Sequence, residues 1–371
     1  MSLHIIILAD AYGKPSFAPR LRYLCHYLTR KGHSVEVFAE QWDEIPFEHN
    51  YTIHEIKLMK GGSWIMKSIA NLLWDWKNKV FYQQVKQQTQ DKTYDLVFCT
   101  TFSTFPLNAA AQIARERHLP FIADIRDLDE QIQGAQYQHH RQWYLLPMRY
   151  IYKLINILRR NRALRQTTAI TTISPWHKTF IEQHIVNNST PVHLIYNGFD
   201  PQQFYFEPVL SSQFLITYIG KLYEFQDLTV LQKAINELSL PDTELNIHLP
   251  DRNYIPINQV GDEIRRSSIV VVLTDKKAKG MMTTKFFEAL GCEKPVLCIP
   301  SDNGLLADTI QHTNAGIATD NIFTIKEFIL SKYNEWQQKG YTHQQVKNKE
   351  MFNREKQAAK IENLLRHYTS L

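Results

Sequence analysis

The chain has 371 residues, 44% hydrophobic, 21% charged and 12% aromatic, with a net charge of +5. This exceeds one ordinary core and predicts two domains of about 150–200 residues each. The spacing of Cys25, Cys99, Cys292 and Cys298 argues against a disulfide framework or a cysteine metal site, and no apolar run of about 18 residues could span a membrane.

In chain order, Ile5–Leu8 reads as a buried strand, since it lacks the basic flank and the length of a signal peptide. Ala18–Arg30 carries Leu21, Leu24, Cys25 and Leu28 at helical spacing. After the break at Lys31–Gly32–His33, Ser34–Phe38 is a second strand. Strands at Tyr94–Cys99 and Pro120–Ala123 flank a helix at Leu107–Arg117. Ala169–Ile173 and Val192–Tyr196 are strands with a helical stretch between them. The pattern restarts after Asn197–Gly198, with strands at Phe214–Ile219, Glu244–His248, Ile269–Leu273 and Val296–Ile299. Helices near Leu228–Leu238, Thr284–Leu290 and Gly304–His312 alternate with these, and a last helix covers about Arg354–His367. Alternation of this kind predicts two doubly wound parallel sheets, with ligands at the carboxyl ends of their strands.

Charge is uneven along the chain. Residues 1–190 hold 23 basic and 16 acidic residues, the remainder 19 and 21. No acid occurs from Gln131 to Ile181, where eight basic residues do. Two segments there and upstream, 141–165 and 64–82, mix basic with large apolar and aromatic residues. They suit helices on an anionic membrane surface, and equally helices packed on a core with a solvated basic edge. No nucleic-acid recognition motif accompanies them, so no nucleic-acid partner is expected.

Four motifs fall in strand-end loops. In Thr283–Thr284–Lys285–Phe286–Phe287–Glu288, a threonine can cap a helix whose free N–H groups suit a phosphate. Lys285 adds a positive charge, and Glu288, three residues on, can accept from a ribose diol. The same residues also fit a capped helix with an ordinary ion pair. Gly220–Lys221 follows a strand and could approach a pyrophosphate. Neither a P-loop nor Gly-x-Gly-x-x-Gly is present. Tyr196–Asn197–Gly198–Phe199–Asp200 makes a tight turn. Asp124–Ile125–Arg126–Asp127–Leu128–Asp129–Glu130 follows a buried strand, where acids face a cleft, face one another, or decorate a helix start.

Taken in order, Gly32–His33, Asp124-x-Arg126-Asp127, Thr172–Ile173–Ser174, Asn197–Gly198-x-Asp200, Gly220–Lys221–Leu222, Lys285–Phe286–Phe287–Glu288 and Lys294–Pro295–Val296 resemble the family 4 glycosyltransferases. The resemblance spans essentially the whole chain. It implies an α/β, GT-B fold of two Rossmann-like domains facing a central cleft, residues 1–201 with 353–371, and 202–352. The C-terminal helix would pack back on the first domain. It also implies a retaining enzyme without metal or cofactor, whose substrate is a nucleotide-sugar, UDP- or GDP-linked, and whose acceptor is a saccharide or a lipid-linked one. Gly220, Lys221, Thr283, Thr284, Lys285, Glu288 and Asn197 would bind the donor. Tyr12, Gly13, Lys14, Ser16 and Arg126 would bind the acceptor, and Lys221, Lys285, Asp124 and Asp127 would act in catalysis. Such an enzyme would be cytoplasmic or peripheral on the inner membrane face and build surface glycans. The sequence departs from the family at Gly280, where a second glutamate often stands, and has a single glycine, Gly13, in its first loop. A GT-B sugar-nucleotide epimerase and a non-catalytic nucleotide-sugar-binding subunit are the alternatives.

Overall fold

A computed structural model describes residues 2–10, 19–41, 49–58, 64–102, 104–131, 146–222, 226–275 and 280–370; for 64, 65, 67, 68 and 146–149 it describes the backbone alone. The described chain divides into two compact units. The first takes residues up to Gln131, those from 146 to Tyr196 and those from Ala358 on; the second takes Asn197–Gln357.

The first unit holds seven strands, β1 (His4–Ala9), β2 (Ser34–Glu40), β3 (Thr52–Ile56), β4 (Leu96–Thr101), β5 (Phe121–Ile125), β6 (Ala169–Thr172) and β7 (Val192–Leu194), in the order β3-β2-β1-β4-β5-β6-β7. All pair in parallel. Its helices are α1 (Pro19–Arg30), α2 (Trp64–Trp74), α3 (Trp76–Gln88), α4 (Leu107–Arg117), α5 (Leu146–Leu164) and the short α6 (Pro175–Phe180). Residues of β1, β4 and β5 are buried almost throughout, because helices cover both faces of the sheet. One face packs Ile6, Val97 and Ala123 against Phe81, Ile113 and Ala163 of α3, α4 and α5. The other packs Ile5, Ile7 and Phe98 against Leu21, Leu24 and Leu28 of α1.

The second unit holds β8 (Phe214–Ile219), β9 (Thr243–His248), β10 (Ile269–Leu273), β11 (Val296–Ile299) and β12 (Gly316–Ala318), in the order β12-β11-β10-β8-β9. Its strands are again all parallel. Helices α7 (Thr229–Leu238), α8 (Val260–Arg266), α9 (Thr284–Gly291), α10 (Leu305–His312) and α11 (Ile322–Lys339) alternate with them.

Helix α12 (Arg354–Thr369) returns to the first unit, as expected. Ala358, Ile361 and Leu365 join the core face built on α1. His33 shows why the Gly32–His33 step matters. Gly32 takes φ +85°, which ends α1, and His33 is buried behind it. The Leu3 N–H donates to His33 Nδ1 at 3.0 Å, so Nε2 carries the proton and faces Glu362 at 3.2 Å. Tyr27 Oη donates to the other Glu362 oxygen at 2.9 Å.

Four of the strands and helices named above escaped the sequence reading. Strand β3 is a half-buried edge strand with polar His54 and Glu55, β12 has three residues, and α8 has seven. Helix α11 buries Ile325, Ile329, Tyr333 and Trp336 at helical spacing, a period diluted by other aromatic residues.

Candidate active site

In the second unit β8 and β10 are neighbours, so their carboxyl ends lie side by side. Gly220 ends β8 with φ +150°. A Cβ there would lie 3.0 Å from Lys285 Cε, so glycine leaves the space that the lysine stem uses. Tyr218 Oη donates to the Lys221 carbonyl at 2.8 Å and fixes the path of the turn, while Lys221 itself is exposed. Thr274 follows β10; it is buried, and its hydroxyl has no hydrogen-bond partner among the described residues. Sequence reasoning missed Thr274, whose only signal was its place just after a strand.

Thr283 caps α9, its Oγ1 accepting from the Lys285 N–H at 3.4 Å. Thr284 opens the first turn, whose remaining N–H groups carry the positive end of the helix dipole. The other side of α9 is packed tightly. Phe286 and Phe287 are fully buried, and the Phe287 ring lies 5.2 Å from that of Phe352. A Cβ at Gly291 would come within 2.7 Å of the Phe199 ring and 2.9 Å of Phe204 Cβ. This packing sets the rotation of α9 and leaves Lys285 and Glu288 half-buried, one turn apart.

Lys285 Nζ is 3.8 Å from Glu288 Oε2, close enough for an ion pair but too far for a hydrogen bond. That same oxygen is shielded from solvent and accepts no hydrogen bond among the described residues. A buried carboxylate oxygen left so costs about 1–3 kcal/mol or more. Gly220, Thr283, Thr284, Lys285 and Glu288 therefore form one group. Asn197 is attached differently: its carbonyl accepts from Arg354 Nε at 3.2 Å, and the Gly198 carbonyl accepts from Arg354 at 2.8 Å. Gly198 has φ +62°, and a Cβ would collide with the Phe352 carbonyl. The tight turn expected at Asn197–Gly198 is thus a close-packed joint with the residues before α12.

In the first unit Tyr12, Gly13, Lys14 and Ser16 lie outside the described residues. Asp124, expected to act in catalysis, is buried in a closed network. Its Oδ1 accepts from Arg20 at 2.8 Å and Thr171 Oγ1 at 2.7 Å, and its Oδ2 from Thr100 Oγ1 at 3.0 Å. Arg20 also donates to the Ile195 carbonyl at 2.5 Å. This geometry fits a strut across β4, β5, β6 and α1, not a group open to a substrate. Arg126, expected to bind acceptor, is 5% exposed. Its guanidinium stacks 3.7 Å from the centroid of the Phe102 ring and meets Asp10 Oδ1 at 3.2 Å. Asp10 Oδ2 accepts from the Phe102 N–H at 2.7 Å.

Asp127 differs from both. The residue reaches solvent, while the protein packed beside its carboxyl strips part of the hydration shell and raises it to about 6; Arg126 opposes, and Asp10 and Asp129 add. The segment beyond it is anchored by residues the sequence reading did not single out as a pair. Glu130 takes two nitrogens of the fully buried Arg160, at 2.7 and 2.8 Å. Gln131 Oε1 lies 2.9 Å from Nε2 of buried His177, which burial lowers to about 4 and so keeps neutral at pH 7. Among the described residues, no three His, Cys, Asp or Glu side chains gather as a metal site.

Comparison with known proteins accords with this architecture. Solved structures of like fold include sucrose-phosphate synthase from Thermosynechococcus elongatus, with TM-score 0.71 and 14% identity, covering 99% of each chain. Anabaena HepE in complex with UDP and glucose follows with TM-score 0.66 and 15% identity, covering 98% of this chain and all of that one. A glycosyltransferase from Rickettsia africae has TM-score 0.60 and 12% identity over 99% of each chain. No curated protein sequence matches. The sequence profile of Glycosyltransferase Family 4 matches residues 19–203, which run from the start of α1 through every later strand of the first sheet and the Asn-Gly joint. With two parallel sheets of the GT-B kind and this match, the chain belongs to glycosyltransferase family 4 and is a glycosyltransferase.

Proposed function

We propose that the second unit binds a nucleoside-diphosphate sugar and that the enzyme passes the sugar, with retention and without a metal, to a saccharide or lipid-linked acceptor. One observation carries this reading: Glu288 Oε2 is buried without a donor among the described residues, beside Lys285 and the capped start of α9. A ribose diol supplies the hydroxyl donors that this oxygen lacks. Breaking the anomeric C–O bond leaves negative charge on the diphosphate. Lys285, Lys221 and the remaining amides of the first turn of α9 are the groups to stabilise it. Gly220 lets the diphosphate approach the backbone without a side chain in the way. That HepE was solved with UDP-glucose supports the donor class. Retention follows the family resemblance, as does a cytoplasmic or peripheral enzyme in surface glycan synthesis. Asp127, accessible and with a raised pKa, is the acid of the first unit best suited to meet an acceptor hydroxyl.

The test is product analysis with UDP- and GDP-sugars, an acceptor panel and excess EDTA. The expected product keeps the anomeric configuration of the donor, and its rate is unchanged by the chelator. An isomerised donor formed without acceptor would identify an epimerase instead. An inverted product would refute retention, and loss of activity with EDTA would refute the metal-free reading.

A further inference from the structure

Among the described residues of the first unit, every exposed large hydrophobic side chain lies on α2 or α5. On α2, Met66, Ile69 and Leu73 recur at i, i+3 and i+7, and Met66 is 68% exposed. On α5, Ile151, Leu154 and Leu158 recur in the same way, and Leu158 is 68% exposed. An amphipathic helix normally turns such a stripe inward; here two neighbouring helices turn it outward. They are not loosely held. Asn71 Nδ2 donates to Tyr152 Oη at 2.9 Å, and Arg159 donates to the Asn71 and Leu72 carbonyls at 2.7 and 2.8 Å.

The charge on this face selects its partner. No acidic residue occurs between Gln131 and Ile181, and the α5 stripe runs on from Leu158 into exposed Arg162 and Arg165. Exposed Trp74 and Tyr150 have the apolar body and polar tip suited to a headgroup layer. A symmetric contact with a second copy would set basic residues against themselves. We propose that α2 and α5 form a docking face for an anionic bilayer, with Leu73, Leu154 and Leu158 entering the acyl boundary and Arg162 and Arg165 on lipid phosphates. This deepens the reading of a peripheral transferase and rests on it. No helix among the described residues is long and apolar enough to cross a membrane, so the contact lies on the surface.

The test uses the full chain, phosphatidylcholine vesicles with and without phosphatidylglycerol, and no sugar donor. Co-sedimentation with the anionic vesicles is expected, about tenfold weaker on neutral vesicles or at high salt. Leu73→Glu with Leu158→Glu should weaken it about tenfold or more with melting temperature unchanged. Arg162→Glu, a milder surface change, should weaken it severalfold. Failure to sediment with anionic vesicles would overturn the proposal, as would full binding by these variants. A dimer lost in Leu158→Glu without vesicle binding would assign the face to a second copy instead. Transfer to a water-soluble saccharide, measured separately, should survive in these variants. Its absence in the unmodified chain would count against the transferase reading and not against the docking face.

Discussion

The carboxyl ends of the two sheets treat charge in opposite ways. In the first unit Asp124 has three donors, and Arg126 is stacked and paired with Asp10. In the second unit Glu288 keeps a buried oxygen with no donor among the described residues, its lysine neighbour too far to bond it. A satisfied buried charge holds a fold together; an unsatisfied one is retained at a stability cost and marks where a ligand completes the structure. Strand-end position alone does not separate these cases, since both groups lie at or beyond the carboxyl ends of parallel strands.

The largest effect should come from breaking the saturated network. Asp124→Ala leaves the buried Arg20 without its carboxylate and should cost about 3–5 kcal/mol in urea unfolding. A loss below about 1 kcal/mol would return Asp124 to the pool of catalytic candidates. Next, Lys285→Ala should lower kcat/KM by about 10²-fold or more while unfolding free energy stays within ~0.5 kcal/mol. Stability loss with normal turnover would make the second rim structural like the first. Gly291→Ala should cost about 1–3 kcal/mol, because its methyl meets the Phe199 ring. If α9 shifts to relieve that contact, KM for the donor rises in the same variant.

The smallest effect is a pH slope. The raised pKa of Asp127 means the folded state binds its proton more tightly than the unfolded chain does. Its unfavourable ionisation therefore develops as pH rises from the ordinary aspartate range through about 6. Asp127→Asn should gain melting temperature relative to the unmodified protein over that window, and the difference should level off above it. A difference that does not change with pH would mean that Asp127 titrates as an ordinary exposed carboxylate.

Both sheets except their edge strands β3 and β12, and the α9 cap, were legible from local signals: apolar runs of strand length, helical spacing and a threonine before Lys285. What stayed hidden depended on contacts distant in sequence. Asp124 and Arg20 are 104 positions apart, so nothing near Asp124 announced that its charge was already matched. Gly198 reads as a turn residue, yet its glycine is required by the Phe352 carbonyl, over 150 residues later. Lys294, one of the family landmarks, proves to be buried, with Nζ donating to the Thr342 carbonyl at 3.2 Å. Desolvation lowers it to about 8, which makes it a packing feature beneath the turn and not a surface cation.

Calorimetric titration of UDP and GDP into the unmodified enzyme and Glu288→Ala addresses the central claim most directly. The account predicts that at least one nucleoside diphosphate binds, that Glu288→Ala weakens it about 10- to 100-fold, and that this variant unfolds no more easily. Equal affinity in the two proteins, or no binding of either nucleotide, would contradict it.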